Sequence, residues 1–166
     1  MIAAQPVQDI FAGREALARD LARYLGDRNL VDVGWEQPND LTLLVPMFGV
    51  RPTGECDLYL LKLEFDCYPD CPPRTQFVNP VTRTFAGQSD IAWMPSANNV
   101  PHLGFHVNYN GQGQLICSSM TAEFYFVNHD VAAEHVWQKG KHTFASTLAA
   151  IRRGLVAPHY IGRQSG

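Results

Sequence analysis

The sequence is poor in charge of either sign and has neither a basic run nor a long hydrophobic run. Charged residues make up 17% of the 166 residues, and the formal net charge is −3. Because affinity for phosphate comes largely from clustered Lys and Arg, this composition argues against nucleic-acid binding. No apolar run approaches the length of a membrane span, and the first residues lack a positive region followed by an apolar core. We therefore expect a cytoplasmic protein that binds neither nucleic acid nor membrane.

The sequence also lacks the paired cysteines of a common metal site. Its four cysteines are Cys56, Cys67, Cys71 and Cys117. In a reducing compartment we expect them to be thiols, and a zinc site on Cys67 and Cys71 would need a second pair that is missing. A metal hydrolase remains an alternative, with ligands drawn from His102, His106, Cys117, His129 and His135. Their spacing fits no ligand motif, so we expect no metal and no other cofactor.

No repeat or linker divides the chain, which predicts a single domain over residues 1–166, long enough to bury a core without disulfides. Apolar residues at helical spacing predict an amphipathic first helix over residues 14–28. The same spacing predicts a second amphipathic helix over residues 142–154, with Gly154 as its stop.

Between these helices the pattern changes to short apolar runs. Strands are predicted over residues 30–35, 41–45, 56–65 and 75–78. The turn formers at 37–40 join the first two into a hairpin, so the four make an antiparallel meander in an α+β fold. Residues 79–105 and 118–136 show no clear pattern, and loops this long usually carry function or unrecognised structure.

The residues with most chemical potential are concentrated in 105–117. A His-x-Asn turn, a glycine-rich bend and a short apolar run end there in one cysteine, which places a thiol beside a carboxamide. We predict that Cys117 is a nucleophile. The alternative is that Leu115, Ile116 and Cys117 are a buried strand end, because free cysteine is among the most buried residue types.

The order of these motifs resembles the ubiquitin-conjugating enzymes, which carry ubiquitin or a ubiquitin-like protein as a thioester. That family has a helix, a four-stranded meander and a Tyr-Pro-x-x-Pro-Pro segment, which residues 68–73 match in full. It continues with His-Pro-Asn, a glycine, the active cysteine, a tryptophan and a helix. The corresponding positions in this chain are His106-Val107-Asn108, Gly111 or Gly113, Cys117, Trp137 and the helix near 142.

The resemblance implies a ubiquitin-conjugating-enzyme-like fold with an N-terminal helix, a four-stranded antiparallel meander, an active-site loop and a C-terminal helix. It implies that Cys117 accepts the C terminus of a ubiquitin-like protein from an activating enzyme and transfers it to a lysine amine of a target protein. It also implies that Tyr68, Pro69, Pro72, Pro73 and Trp137 are scaffold. Val107 replaces the proline of the family motif, and the loops before His106 and after Cys117 are longer than in common members. These departures are similar to bacterial members found in operons with an activating enzyme, several of them antiphage systems.

Other side chains near Cys117 have two interpretations each. Asn108 stabilises the oxyanion formed when the amine attacks the thioester, or it caps its own loop by bonding backbone groups. His106 is predicted to hold the active-site loop through a bond to backbone, since thioester transfer needs no base at that position. The proton of the incoming lysine could pass to Asp130, Glu123 or His129, although each also fits an ordinary loop position.

Two further functions remain open. A non-catalytic module of the same fold would bind a ubiquitin-like protein without transferring it, although the inactive family variants lack the cysteine that this chain has. A cysteine protease built on Cys117, with His106 as base, would need a third orienting group and a peptide cleft. Nothing in the sequence marks such an orienting group or cleft.

Overall fold

Helix α1 (Ile10–Leu25) opens the part of the chain that this computed structural model describes, residues 8–127 and 129–165. The Asp9 carboxylate accepts a hydrogen bond from the Ala12 N–H and so caps the helix. The helix therefore begins one turn before the predicted residue 14. Its apolar stripe faces the core, with Leu17 and Leu21 buried.

A four-stranded antiparallel sheet follows, in the strand order β1-β2-β3-β4. Its strands are β1 (Glu36–Asn39), β2 (Thr42–Val50), β3 (Cys56–Glu64) and β4 (Arg74–Val78). Along β3, Tyr59, Leu61 and Leu63 are fully buried and alternate with partly exposed residues, so one face of the sheet covers the core. The predicted α+β class and four-stranded meander are confirmed.

The prediction of a strand over residues 30–35 was wrong. Residues Leu30–Val33 form the single-turn helix α2, which ends at Gly34 in the left-handed conformation. The Asn29 side chain accepts from the Asp32 N–H, and the Asp32 carboxylate accepts from the Asn29 N–H. This reciprocal cap favours a helical turn over the strand that the apolar run indicated. The hairpin consequently begins at Glu36, so β1 takes up most of the turn predicted at 37–40, and the turn itself lies at residues 40 and 41.

Short elements occupy the stretches without a clear sequence pattern. They are a 3₁₀ helix (Gly87–Trp93), β5 (Pro95–Ala97), β6 (Gly104–His106), β7 (Leu115–Cys117), α3 (Ala122–Phe126) and a 3₁₀ turn (Ala133–His135). Helix α4 (Phe144–Arg153) and strand β8 (Tyr160–Arg163) follow, and β8 pairs with β5. Helix α4 confirms the second predicted helix. Within the described ranges, none of the helices has the length and apolar character that crossing a bilayer requires.

The Tyr68-Pro69 segment joins the two long helices. The buried Tyr68 hydroxyl donates to Asp20 of α1 and accepts from the Phe144 N–H at the start of α4. The Trp137 Nε1–H donates to the Pro69 carbonyl at 2.9 Å. Because these polar groups are satisfied inside an aromatic core, the segment has the contacts expected of a scaffold.

Candidate active site

Strands β6 and β7 form a separate two-stranded antiparallel ribbon that carries Cys117. In its register, Gly104 lies opposite Cys117 and His106 lies opposite Leu115. Side chains two residues apart on a strand point to the same face, and directly opposed residues also share a face. His106 and Cys117 are therefore diagonal neighbours on one face of the ribbon.

The His106 imidazole bends back along its own strand over Gly104. A methyl group added at Gly104 would come within 2.8 Å of the His106 Nε2 atom. Gly104 is the residue directly opposite Cys117, so the ring occupies the space across from the cysteine. The ring fits there only because residue 104 is glycine, since any side chain at this position would collide with it.

The His106 ring makes no hydrogen bond to any described residue, so the predicted bond to the loop backbone is not formed there. Its aromatic neighbour is Tyr109, with ring centroids 5.3 Å apart. Burial, and to a lesser extent the nearby His129, lowers the pKa of His106 below its ordinary value. The imidazole is therefore neutral at neutral pH, with a ring nitrogen free to accept a proton.

Cys117 and His106 line one cleft of about 580 Å³, a volume within the usual range of ligand sites. The remaining lining residues are Val100, His102, Leu103, Gly104, Ser119, Phe124, Asp130, Val131, Ala132 and His135. Cys117 is only partly buried, and burial raises the pKa of its thiol. The sulfur is therefore protonated at rest, which a reaction with an already activated thioester tolerates.

The structure separates the three candidate proton acceptors. Asp130 lines the cleft with Cys117. The His129 Nε2 atom lies 3.5 Å from the Tyr109 hydroxyl, and its ring packs on Phe124, another cleft residue. Glu123 instead accepts from the Thr75 N–H at 2.8 Å and from the Thr75 hydroxyl at 3.1 Å, and burial raises its pKa to about 7. Its carboxylate is thus committed to strand β4.

Asn108 serves the turn between the two strands. Its Oδ1 atom accepts from the Gly113 N–H at 3.1 Å, and the backbone between them visits the left-handed region at Asn110 and Gly111. The side chain is exposed and lines a depression with Val107 and Gln112, apart from the residues of the Cys117 cleft. Loop capping, the second interpretation of Asn108, accounts for this contact.

Two side chains fix the cysteine-bearing segment to the edge of the main sheet. The Gln114 Oε1 atom accepts from the Phe77 N–H at 2.7 Å, and its Nε2–H donates to the Phe77 carbonyl at 3.0 Å. With Glu123 on Thr75, these bonds occupy backbone groups that an edge strand leaves unpaired. The sequence did not mark Gln114, because its partner lies 37 residues away. The sequence did contain one usable signal: Gly104 and His106 are two residues apart, so in a strand they lie on the same face.

Among the described residues, no three His, Cys, Asp or Glu side chains are grouped so that they could hold a metal ion. The His102 and His135 rings instead pack against each other, with centroids 4.5 Å apart. The site that the structure does assemble is a thiol and an imidazole facing one cleft. In comparisons with protein-family models, curated proteins and solved structures, nothing matches this chain.

Proposed function

We propose that this chain is a ubiquitin-like-protein conjugating enzyme, which accepts the C terminus of the modifier as a thioester on Cys117 and transfers it to a lysine amine. The observation that carries the proposal is the position of Cys117, partly exposed in a cleft wall and diagonal to a neutral imidazole. The order of elements supports it: a helix, a four-stranded meander, a cysteine-bearing segment and a later helix. We take this as a ubiquitin-conjugating-enzyme-like arrangement.

The loading step exchanges one thioester for another. The Cys117 sulfur attacks the acyl carbon held on a cysteine of the activating enzyme, a new carbon–sulfur bond forms, and the old one breaks. The thiol proton of Cys117 passes to the departing sulfur. Because the two thioesters are close in energy, the step does not require a strongly acidic thiol. The raised thiol pKa of Cys117 is compatible with it.

In the second step the acceptor amine attacks the thioester carbonyl and the sulfur of Cys117 leaves. Charge develops on the carbonyl oxygen, and a well-placed carboxamide donor there contributes about 3 kcal/mol. Asn108 remains the predicted donor, although its Oδ1 atom is held by Gly113 and its side chain lines a depression separate from the Cys117 cleft, so the proposal does not depend on it. We place the reaction in the cytoplasm with an activating enzyme, a ubiquitin-like protein and a target protein, as in the bacterial and antiphage relatives that the motifs resemble.

A thiol hydrolase is the second candidate, because His106 and Cys117 face the same cleft. A hydrolytic Cys–His pair normally has a third group that orients the base. The His106 ring has no hydrogen-bond partner among the described residues, which favours transfer over hydrolysis. A binding module without catalysis is the third candidate, and it requires an unreactive Cys117.

The test uses a peptide thioester ending in Gly-Gly as acyl donor and intact mass under non-reducing conditions as readout. The wild-type chain should gain one acyl mass that thiols remove, and Cys117→Ala should gain none. Cys56→Ser is the matched control, because Cys56 is the exposed cysteine and its loss should leave the adduct in place. Free lysine should then convert the adduct to the peptidyl-lysine amide.

Each other result selects a different candidate. Release of the free peptide acid in place of the amide would identify a hydrolase. Absence of an adduct on Cys117 would exclude both reactions and leave the binding module. Asn108→Ala should slow discharge to lysine about 100-fold and leave loading unchanged. If the variant loads and discharges at the wild-type rates, Asn108 does not stabilise the oxyanion.

A further inference from the structure

We propose that His106 is the proton relay of this site, taking the proton from the incoming amine and returning it to the sulfur of Cys117. This inference rests on the proposed function, and it gives His106 a catalytic role in place of the structural role that was predicted on the ground that thioester transfer needs no base there. It commits the site to a primary amine as acceptor, delivered as a side chain that reaches into the cleft.

The first support is the geometry of the ribbon. Gly104 pairs with Cys117, and the His106 Nε2 atom lies 2.8 Å from the position that a Gly104 Cβ would take. The reactive nitrogen of the ring is thus held over the residue that faces the sulfur. An acyl group on Cys117 would project from the face of the ribbon that carries His106, so an amine entering through the shared cleft would approach it on the side of the imidazole.

The second support is that neither ring nitrogen has a hydrogen-bond partner among residues 8–127 and 129–165. Most other histidines of the described chain have a specific neighbour: His142 accepts from the Gln138 N–H, and His159 contacts the Asn98 carbonyl. Among the described residues, the aromatic neighbour of His106 is Tyr109, and the ring is partly desolvated while one side of it opens to the cleft. A histidine that merely held the loop would be bonded to it.

The third support is the protonation state that the surroundings impose. The titratable groups that face the ring or share its cleft are Cys117, Tyr109, His129, Asp130, His102 and His135. Burial and the neighbouring His129 lower the pKa of His106, and burial raises that of the Cys117 thiol. At rest, the imidazole and the thiol are therefore both neutral. One nitrogen of the imidazole can then accept the proton of the amine and return it to the Cys117 sulfur after discharge.

The proton balance of discharge closes on these two residues. The amine nitrogen bonds to the acyl carbon, and its extra proton moves to the free ring nitrogen of His106. The carbon–sulfur bond breaks and leaves the Cys117 thiolate. The imidazolium then gives the proton to this thiolate, so that amide, thiol and neutral imidazole remain. No oxidant, metal or further reactant enters.

The experiment follows single-turnover discharge of Cys117 that has been acylated with the Gly-Gly peptide thioester. His106→Gln should form the adduct and discharge it to lysine about 100-fold more slowly at neutral pH. Discharge to hydroxylamine should change little, because the nitrogen of its adduct is far more acidic than that of a lysine adduct and gives its extra proton to water without a base. In the wild type the lysine rate should fall as pH drops through the lowered pKa of His106, and His106→Gln should lose this inflection.

Gly104→Ala provides a variant that keeps the histidine but moves it. The backbone of Gly104 is not left-handed, and the nearest obstacle to a methyl group is the end of the His106 ring. The ring should therefore rotate away without strain in the strand, and discharge to lysine should slow. Adding His106→Gln to Gly104→Ala should cause no further loss, because both changes remove one interaction. His159→Gln, outside the cleft, is the matched histidine control.

The outcomes separate this inference from the function on which it rests. If wild-type Cys117 forms no adduct, the conjugating function fails and the relay fails with it. If the adduct forms but His106→Gln discharges to lysine at the wild-type rate, only the relay is excluded. An equal slowing with lysine and hydroxylamine would indicate a structural role for His106. If Asp130→Asn loses the pH inflection and His106→Gln retains it, Asp130 is the proton acceptor.

Discussion

Three of the four cysteines of this chain occupy two contrasting environments on the two faces of helix α3. Ala122 and Phe126, one turn apart, pack with the buried Cys67 and Cys71. Phe124, which lies between them in sequence, points away from that face and lines the cleft of Cys117. One five-residue helix thus separates an interior thiol pair from a thiol that a ligand can reach.

The contrast shows that thiol pKa alone does not distinguish the two environments. Burial raises the pKa of Cys67, Cys71 and Cys117 alike. The Cys71 sulfur donates to the Cys67 carbonyl, as in a structural turn. Cys117 has open space and an imidazole across from it. Access and a proton acceptor, which are properties of the surroundings, distinguish the two environments.

The largest expected difference is in alkylation by iodoacetamide of the native protein. Cys117 should react from the folded state, whereas Cys67 and Cys71 require local opening. Each 1.4 kcal/mol of opening free energy slows modification about tenfold. An opening free energy of about 4 kcal/mol would therefore make Cys117 react roughly 10³ times faster than Cys67 and Cys71. Peptide mapping by mass spectrometry measures it, and denaturant should make all four cysteines react alike. Similar native rates for Cys67 and Cys117 would remove the contrast.

A second difference concerns Glu123, which ties α3 to strand β4. Its pKa in the folded protein is about 7, above the ordinary value of 4.5. The stabilisation from the protonated form is therefore complete below pH 4.5 and is lost as pH rises through 7. The full shift corresponds to roughly 3 kcal/mol, and partial exposure of the side chain reduces this.

Glu123→Gln cannot ionise, so its free energy of unfolding should lack this fall between pH 4.5 and 7. Urea denaturation of both proteins across this range measures the difference, which cancels contributions from other carboxyl groups. Parallel pH profiles for the wild type and Glu123→Gln would show that the pKa of Glu123 is the same in the folded and the unfolded protein.

The smallest expected difference is in the free energy of unfolding when a cysteine of each environment is replaced by serine. Cys67→Ser places a hydroxyl in an apolar interior and should lower the free energy of unfolding by about 1–2 kcal/mol. Cys117→Ser places its hydroxyl at the cleft wall, where water can reach it, and should change stability little. Chemical denaturation at one pH compares the two. A larger loss for Cys117→Ser would mean that Cys117 is part of the core.

The predictions from sequence succeeded where a pattern was long. Helix α4, helix α1 to within a turn, and the strands β2 to β4 extend over enough residues for spacing to identify them. The prediction failed at residues 30–33, where the Asn29–Asp32 cap decides the conformation. It also gave no elements within 79–105 or 118–136, because elements of three to seven residues contain too few turns or alternations for a period to be recognised.

Within the site, the cysteine, the His-x-Asn turn and the two readings of Asn108 could be stated from the sequence. The partners of His106 could not. A histidine five residues before Gly111 is compatible with a bond to its own loop, and only the contact of the ring with Gly104, the residue paired with Cys117, shows that the ring lies over the ribbon. Asp130 and Glu123 looked alike in sequence, and their different neighbours set them apart.

The sequence by itself determined the two long helices, the antiparallel meander and a single cysteine at the end of an apolar run, because each depends on local spacing. Only the tertiary structure decided what that cysteine faces. The Gln114 bonds to Phe77 and the Glu123 bonds to Thr75 join residues 37 and 48 positions apart, and β5 pairs with β8 across a still longer interval. Such contacts depend on which backbone groups the sheet edge leaves unpaired, and this is settled only when the whole chain has packed.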